Sequence, residues 1–262
     1  MKSNRSAGVI LHPTCLPSRF GIGDLGPTAA AYLEWLRGAG VTWWQVLPLH
    51  PPGPGNSPYS AISTFAGNEL LISPELLVED GLLDEGDVAE VPSLPTEWVE
   101  FGDVEPYKTS LLKRAYQSFR GSQPARLTRH LASFREANRS WLADYALYRA
   151  LRESHARAPW YEWPMPLARR DPEALIGWAQ EHRDEVDFVE FCQFVFFRQW
   201  AALHDWAGEL GIGIFGDVPI FVARDSAEVW SHPELFLVDE DLRPRVVAGV
   251  PPDYFSDTGQ LW

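Results

Sequence analysis

The sequence predicts an α/β fold with parallel strands and a large helical region between the second and third of them. Two compact apolar runs of β type, at 8–12 and 41–49, flank an alanine-rich stretch of helical character. A third buried apolar run follows only at 212–222. Strand, helix and strand in this order form a βαβ unit, whose two strands run parallel.

The first βαβ unit has clear boundary signals. Its first strand is GVILH, and the helix begins at Pro27, because proline is favoured in the first helical turn. The helix is predicted to run to about Arg37, and Gly38 and Gly40 end it. The next run, VTWWQVLPL, is again strand-like and is closed by proline.

The middle of the chain, from about 74 to 210, has the pattern of helices and loops. Its strongest helix is predicted to run from Asp187 to Leu210, with Asp187 as N-cap and Glu190 completing a capping box. The charged, proline-containing stretch 84–106 is interpreted as a surface connection.

A connection this long between parallel strands is far above the usual crossover, so most of it is expected to form an inserted helical subdomain. The predicted divisions are therefore 1–73 for the first strands and the loop after them, 74–210 for the helical insertion, and 211–262 for the third strand and a terminal loop.

Composition excludes several classes of function. With 22 Lys+Arg against 36 Asp+Glu the net charge is −14, which disfavours nucleic acid and anionic membranes as partners. The apolar run before His12 is too short for a signal peptide, so a cytoplasmic protein is predicted. Cys15 and Cys192 are expected to be reduced thiols, and the sequence has no zinc-ligand spacing, so no metal or other cofactor is predicted.

GIGDLG at 21–26 matches the dinucleotide-binding pattern G-x-G-x-x-G. Its context disagrees, because the first glycine lies well beyond the end of the first strand and no ribose-binding acid follows the second strand. We interpret the glycines as loop geometry before a helix.

Five sequence blocks carry a family resemblance. They are GVILHPTCLPSRFGIGDLG, WWQVLPL, GNSPYSAISTFAGN, GDVPIFVARDSAEVW with HPELF, and VVAGVPPDYFSDTGQLW. In this order they resemble the signature blocks of the amylomaltases, the 4-α-glucanotransferases of the α-amylase clan. The resemblance covers the chain from Gly8 to Trp262, the helical middle matching in character rather than in motif.

The resemblance implies the N-terminal part of a (β/α)8 TIM barrel, with the helical subdomain inserted between barrel strands 2 and 3. It also implies a cytoplasmic, cofactor-independent enzyme that transfers α-1,4-glucan segments between maltooligosaccharides, with starch- or glycogen-derived glucans as partners. Such barrels bind substrate at the C-terminal ends of their strands.

The loop at 51–68 begins where the second strand ends, and its glycines permit close approach of a ligand to the backbone. Asn56, Ser57 and Tyr59 are candidates for hydrogen bonds to sugar hydroxyls, and the Tyr59 ring offers a flat apolar surface. The alternative is a rigid turn in which Tyr59 only packs on the core.

By resemblance, Ser57, Pro58 and Tyr59 match the family motif. Many relatives have Tyr where Pro54 stands and Asp where Asn56 stands. The missing aromatic ring argues against a secondary glucan-binding groove at this loop.

Asp217 follows the third strand, where carboxylates of a barrel meet substrate. The resemblance implies that it supports the active centre by positioning substrate or a neighbouring arginine; the alternative is a local turn or cap. Asp225 is interpreted as the N-cap of the next helix, with Glu228 completing a capping box.

The terminal block matches a loop that overhangs the glucan cleft in amylomaltases. Tyr254, Phe255 and Trp262 are therefore candidates for substrate stacking, and a protein contact is the alternative for the first two. The aromatic cluster WYEWP at 160–164 is interpreted as packing within the insertion. His12 is either a substrate contact or a hydrogen-bonded buried histidine.

Retaining glycosyl transfer needs a carboxylate nucleophile and a carboxylic acid/base. By resemblance these residues follow later barrel strands than the three seen here, so no catalytic carboxylate is expected in this chain. Residues 1–262 are expected to be the N-terminal portion of a longer enzyme and inactive alone, with an unpaired sheet edge and an uncovered apolar face. The alternatives are an α-glucan hydrolase of the same clan and a non-catalytic glucan-binding module that is complete at 262 residues.

Overall fold

The computed structural model describes residues 5–247, 249–254 and 256–261. Its central sheet has three parallel strands in the order β1-β2-β3: β1 (Gly8–Ile10), β2 (Trp43–Gln45) and β3 (Gly213–Phe215). The three predicted strands and their parallel direction are confirmed, although each strand is shorter than the apolar run that predicted it.

The helices are arranged around this sheet as the sequence order suggests: one joins β1 to β2, most lie between β2 and β3, and one follows β3. Their bounds are α1 (Pro27–Gly38), α2 (Pro74–Glu79), α3 (Glu85–Ala89), α4 (Phe101–Ser122), α5 (Ala125–Ala137), α6 (Leu142–Ser154), α7 (Met165–Ala168), α8 (Pro172–Glu181), α9 (Arg183–Glu209) and α10 (Ala227–Ser231). Short 3-10 helices occur at Pro13–Cys15, Glu69–Leu71, Trp160–Glu162 and Pro233–Leu235. An antiparallel pair, β4 (Gly249–Val250) and β5 (Gln260–Leu261), lies in the terminal segment.

Two predictions about the helices were wrong. α9 begins at Arg183, so Asp187 lies inside the helix, where its carboxylate accepts a hydrogen bond of 2.8 Å from Arg135. Acidic residues in the first turn, Asp184 and Glu185, favour the earlier start because they face the positive end of the helix dipole. The predicted surface connection 84–106 contains all of α3 and the beginning of α4.

α1 and α9 cover one face of the sheet. Leu33 and Leu36 of α1, Trp44 of β2 and Phe191 of α9 belong to one buried core cluster. Side chains alternate between the faces of a strand, so the neighbours of Trp44 point to the opposite side.

The opposite face of the sheet is largely uncovered. Ile10, Trp43 and Phe215 are 57%, 43% and 57% exposed. Ile10 and Phe215 flank Gln45 in the strand register, and Trp43 lies against Gly213, where a Cβ would come within 2.4 Å of its indole ring. The expected uncovered apolar face is therefore present.

Two glutamines of α9 hold the segment that leads out of the loop after β2. Gln193 accepts a hydrogen bond from the Gly67 amide (2.8 Å) and donates one to the Gly67 carbonyl (2.9 Å). Gln199 does the same for Ser73, at 2.7 and 3.2 Å. Each side-chain amide satisfies a buried backbone donor and acceptor that no strand partner reaches.

A second core cluster lies where the helical insertion packs against the loop after β2 and against α10. Trp160 and Trp163 are buried in it together with Tyr148 of α6 and Trp230 of α10. The prediction that the WYEWP cluster serves packing is confirmed.

The GIGDLG loop is packed against the protein itself. A Cβ on Gly23 would lie 2.1 Å from the Pro13 carbonyl oxygen, and one on Gly26 would lie 2.2 Å from Ser73 Oγ. Asp24 is buried and pairs with Lys108. These contacts support the interpretation of the glycines as loop geometry.

Within the described ranges, no helix has the length and apolar character needed to cross a bilayer. Cys15 and Cys192 are both free thiols, as expected.

Candidate functional site

The loops that follow β2 and β3 meet at the C-terminal edge of the parallel sheet. The first of them turns back on itself through an antiparallel bridge between Pro52 and Ala61, and the Ile62 amide donates to the Pro51 carbonyl at 3.0 Å. Asn56 occupies the left-handed region at φ 55°, which asparagine tolerates better than most residues. The loop is thus an ordered hairpin-like structure rather than a flexible spacer.

The structure brings three of the predicted site residues together. The Tyr59 hydroxyl donates a hydrogen bond of 2.7 Å to Asp217 Oδ2, which joins the two loops. Asp217 Oδ1 accepts a second bond from the Val218 amide at 2.8 Å, and Ser57 Oγ accepts one from the Tyr59 amide at 3.3 Å. Asp217 is therefore held by both its own loop and the neighbouring one.

The Tyr59–Asp217 contact has an electrostatic signature. The hydrogen bond to the carboxylate raises the pKa of Tyr59 above its ordinary value, because loss of the phenol proton would place two anions side by side. The phenol is consequently a stable hydrogen-bond donor at neutral pH, and its oxygen can also accept a hydrogen bond from a ligand.

These residues line an open cleft of about 730 Å³, a size suited to a small-molecule ligand. Its walls combine hydroxyl and carboxylate groups with apolar surface from the loop after β3. The lining residues are Ser57, Tyr59, Ser60, Asp217, Val218, Pro219, Ile220, Phe221, Val222, Ala223 and Arg224. Such a mixture fits a polyhydroxylated, uncharged ligand with apolar ring faces.

Other predicted residues lie elsewhere. Asn56 and Pro54 line a different cavity of about 390 Å³ behind the loop, so Asn56 does not join Ser57 and Tyr59 in the cleft. Tyr254 is 94% exposed on the terminal segment and is not among the cleft-lining residues. Phe255 and Trp262 lie outside the residues that the structure describes.

His12 follows β1 at the same edge of the sheet and is already engaged. Its Nε2 lies 3.2 Å from the Pro48 carbonyl oxygen and its Nδ1 lies 2.7 Å from Thr14 Oγ1. Burial lowers the pKa of His12, which keeps the ring neutral. Of the two interpretations of His12, the structure supports the hydrogen-bonded, partly buried histidine.

The prediction that Asp225 caps the following helix was wrong. Ser226 is the N-cap of α10, and its side chain accepts from the Val229 amide. Asp225 instead accepts hydrogen bonds from Tyr148 (3.0 Å), the Trp160 amide (3.1 Å) and Arg152 Nε (3.1 Å). Ser226, and not Asp225, bonds to an amide of α10. Asp225 therefore connects the cleft loop to α6.

Glu228 does not complete a capping box either. Its Oε1 accepts hydrogen bonds from Ser63 Oγ at 2.7 Å and from the Thr64 amide at 3.0 Å. This contact ties α10 to the loop after β2, so the two cleft loops are joined behind the cleft as well as across it. No local sequence pattern predicts this contact, because the partners are far apart along the chain.

A third cavity, of about 360 Å³, lies between α4, α6, α8 and α9. Several polar groups on its wall already have partners within the protein: Arg149 pairs with Glu69 and Glu153, and Gln193 bonds to the backbone of Gly67. The 730 Å³ cleft is the better candidate site because it holds the predicted residues at the edge of the sheet. In the described part of the chain, no group of three or more His, Cys, Asp and Glu side chains is placed to hold a metal ion.

Comparison with known proteins shows the family of the chain. A family model described as 4-alpha-glucanotransferase matches residues 11–262. The chain belongs to the 4-alpha-glucanotransferase family. The chain is similar to the 4-alpha-glucanotransferases of Thermus thermophilus (48% identical over 262 residues) and of Synechocystis (44% over 263 residues). Each comparison covers all of this chain and 52% of the relative.

Solved structures of the family show the same backbone arrangement. The amylomaltase from Streptococcus agalactiae, solved in complex with acarbose, matches with a TM-score of 0.94 at 37% identity, over 99% of this chain and 52% of that one. Amylomaltase from Corynebacterium glutamicum, at 21% identity, shares the fold with a TM-score of 0.71, over 98% of this chain and 35% of that one. The chain thus spans about half the length of the curated relatives it matches.

Proposed function

We propose that the protein containing this chain is a 4-α-glucanotransferase that transfers α-1,4-glucan segments between maltooligosaccharides. The observation that carries the proposal is the Tyr59–Asp217 hydrogen bond, which joins two loops across an open cleft at the C-terminal edge of a parallel sheet. Membership of the family supplies the reaction class, and the cleft supplies a place for a sugar.

The proposed architecture is the first part of a (β/α)8 barrel with a helical subdomain, residues 74–210, inserted between strands 2 and 3. Two features support it. Among the residues that the structure describes, helices cover one face of the sheet, and Ile10, Trp43 and Phe215 on the other face have the apolar character of barrel-interior side chains. The remaining strands would then be supplied by residues outside this chain, in line with the share of the relatives that it covers.

The cleft groups have defined roles in this proposal. The Tyr59 ring presents an apolar surface to a pyranose ring, and its oxygen accepts from a sugar hydroxyl while donating to Asp217. Ser57 adds a hydroxyl at the same rim. The hydroxyl and carboxylate groups of the cleft, together with its apolar walls, suit maltooligosaccharides, and the complex of the Streptococcus agalactiae amylomaltase with acarbose supports a carbohydrate ligand.

The proposed mechanism is a retaining double displacement. A carboxylate outside this chain attacks the anomeric carbon, a carboxylic acid protonates the leaving oligosaccharide, and a sugar 4-hydroxyl resolves the glycosyl ester. Asp217 is assigned a supporting role, because both of its oxygens are already engaged by Tyr59 and the Val218 amide. It orients substrate rather than exchanging a proton. A cytoplasmic location, compatible with the two free thiols, belongs to the same proposal.

Maltotriose disproportionation by the product of the complete gene tests the function. Glucose and maltodextrins longer than the substrate are expected. Reducing sugar without chain lengthening would instead identify an α-glucan hydrolase, and binding without turnover would identify a glucan-binding module.

Asp217→Asn tests the site. The variant is expected to fold normally and to lose transfer by about a hundredfold, because a small misplacement of substrate costs that much. Asp205→Asn is the matched control, since Asp205 is exposed on α9. Near-normal turnover of Asp217→Asn would remove this residue from the site.

A further inference from the structure

Arg224 lies where three parts of the molecule meet. Its guanidinium carbon sits 3.6 Å from the centre of the Tyr161 ring, in the helical insertion. Its Nη2 donates a hydrogen bond of 2.8 Å to the Leu242 carbonyl. The same residue lines the cleft beside Asp217, and its own carbonyl accepts from Trp160 Nε1 at 2.7 Å.

The segment that Arg224 holds is a small hairpin, residues 237–245. The Arg245 amide donates to the Leu237 carbonyl at 2.7 Å and the Asp239 amide donates to the Arg243 carbonyl at 2.8 Å, with Leu242 at φ 62° in the turn. A bulky residue other than glycine costs free energy in this left-handed region, so the conformation needs support from outside the hairpin. The Arg224 bond falls on the carbonyl of this same residue.

A second arginine supports the hairpin from another direction. Arg169, which follows α7, donates from Nη2 to the Glu240 carbonyl at 2.8 Å. The two arginines thus bind carbonyls two residues apart in the turn, those of Glu240 and Leu242, and of the two arginines only Arg224 also lines the cleft. The hairpin leads directly into the terminal segment that carries Tyr254.

We propose that Arg224 is a positioning residue: it clamps the hairpin 237–245 against Tyr161 and thereby sets the shape of the cleft where glucan binds. The planar guanidinium suits this role, because it stacks on an aromatic face and donates in its plane at the same time. Lysine can supply the charge and one donor but not the stacked plane. This inference rests on the proposed function for its substrate, although the clamp itself does not.

Hydrogen exchange on the product of the complete gene tests the clamp without reference to activity. In Arg224→Met, which keeps the aliphatic stem, exchange of the Asp239 and Arg245 amides is expected to accelerate about tenfold, the effect of losing one ordinary hydrogen bond. Arg169→Met is expected to act in the same direction. Arg245→Met is the control, because it removes the same charge from an exposed side chain of the hairpin itself.

Steady-state kinetics on maltotriose test the consequence. In Arg224→Met the KM is expected to rise about tenfold with kcat within about twofold, since the loss affects binding in ground state and transition state alike. Arg169→Met is expected to raise the KM as well, Arg224→Lys to restore it in part, and Arg245→Met to leave it unchanged.

The outcomes are distinguishable. A raised KM with unchanged hairpin exchange would overturn the proposal in favour of direct substrate binding by Arg224. Faster exchange with an unchanged KM would show that the hairpin does not shape the cleft. An unmodified protein that lacks transferase activity would remove the proposed function, and unchanged exchange in Arg224→Met would separately remove the clamp.

Discussion

Lys108 and Asp24 form a buried ion pair whose disruption makes a sharp test of the fold. The Lys108 side chain is 1% exposed and that of Asp24 is 6% exposed, and Nζ lies 3.4 Å from Asp24 Oδ2. Lys108 also donates to the Leu70 carbonyl at 2.7 Å, and Asp24 Oδ1 accepts from the Gly26 amide at 3.0 Å. The pair thus connects α4 with the GIGDLG loop and the segment after β2.

Replacing Lys108 by methionine should keep most of the side-chain volume and remove the charge and the donor. It leaves Asp24 buried without its counter-ion and the Leu70 carbonyl without its donor. Breaking one partner of a buried pair costs about 3–5 kcal/mol in free energy of unfolding. The double variant Lys108→Met/Asp24→Asn is expected to recover about 1–3 kcal/mol, because no buried charge remains and the Asn oxygen can still accept from Gly26.

The loss of stability in Lys108→Met should depend on pH. Burial raises the pKa of Asp24 and the charge of Lys108 opposes that rise, so the pKa of Asp24 is expected to rise further in Lys108→Met. At pH values between the pKa of Asp24 in the unfolded state and its raised pKa in the folded state, the folded state binds more protons than the unfolded state. Stability of the variant therefore falls as pH increases through this window, and the deficit is smaller near about pH 4 than at neutral pH. Asp24→Asn removes this dependence.

Urea unfolding of the complete gene product, followed by circular dichroism, measures these differences. Lys113→Met on the exposed side of α4 is the control for the same chemical change. A Lys108→Met variant whose stability is within about 1 kcal/mol of this control would refute the reasoning, since it would mean that the pair is not desolvated.

Three further predictions concern other contacts. Gly67→Ala should destabilise the protein by about 1–3 kcal/mol, because the new Cβ would lie 2.0 Å from the Phe196 ring. The control Gly177→Ala, on α8 with open space around it, should be neutral or stabilising. Equal unfolding midpoints for the two variants would contradict this prediction. Ser226→Ala should cost about 1 kcal/mol in free energy of unfolding, because it removes the N-cap of α10. Asp225→Ala should cost about 3–5 kcal/mol, because it leaves the Arg152 side chain, which is 11% exposed, without its ion-pair partner. If thermal unfolding gave the reverse order, Asp225 would be the cap after all. The pKa of the Tyr59 phenol should be lower in Asp217→Asn than in the unmodified protein, because the carboxylate that raises it is gone. An ultraviolet titration measures this pKa, with Tyr59→Phe identifying the signal of Tyr59. An unchanged pKa would show that the two side chains do not meet in solution.

Local patterns were sufficient for the strands and α1. The β-type runs flanking a helix with proline at its start identify a βαβ unit without knowledge of any contact, and the structure confirms both strands and their direction. The same local rules failed at Asp187 and Asp225. Both aspartates stand where a capping pattern is satisfied, but each is used by an arginine brought from elsewhere in the chain.

The candidate site was predictable in part for a related reason. Ser57, Tyr59 and Asp217 follow strands of one parallel sheet, and strand ends of such a sheet share an edge. That the Tyr59 hydroxyl reaches Asp217 depends on the height of each loop above the sheet, which the chain order does not specify. The backbone-binding glutamines, Gln193 and Gln199, gave no signal, because a buried polar residue on an apolar helix is recognisable only through its partner.

The sequence by itself determined the three strands and their parallel direction, the helix α1, the helical character of the middle of the chain, and which polar residues follow strand ends, because these properties depend on neighbours a few positions apart. The tertiary structure alone decided the contacts between distant segments: Asp225 with α6, Glu228 with the loop after β2, Lys108 with Asp24, and Arg224 with Leu242. These contacts form because packing of helices and loops removes water from polar groups. Each buried polar or charged group then needs a hydrogen-bond or ion-pair partner, and that partner is set by proximity in space rather than along the chain.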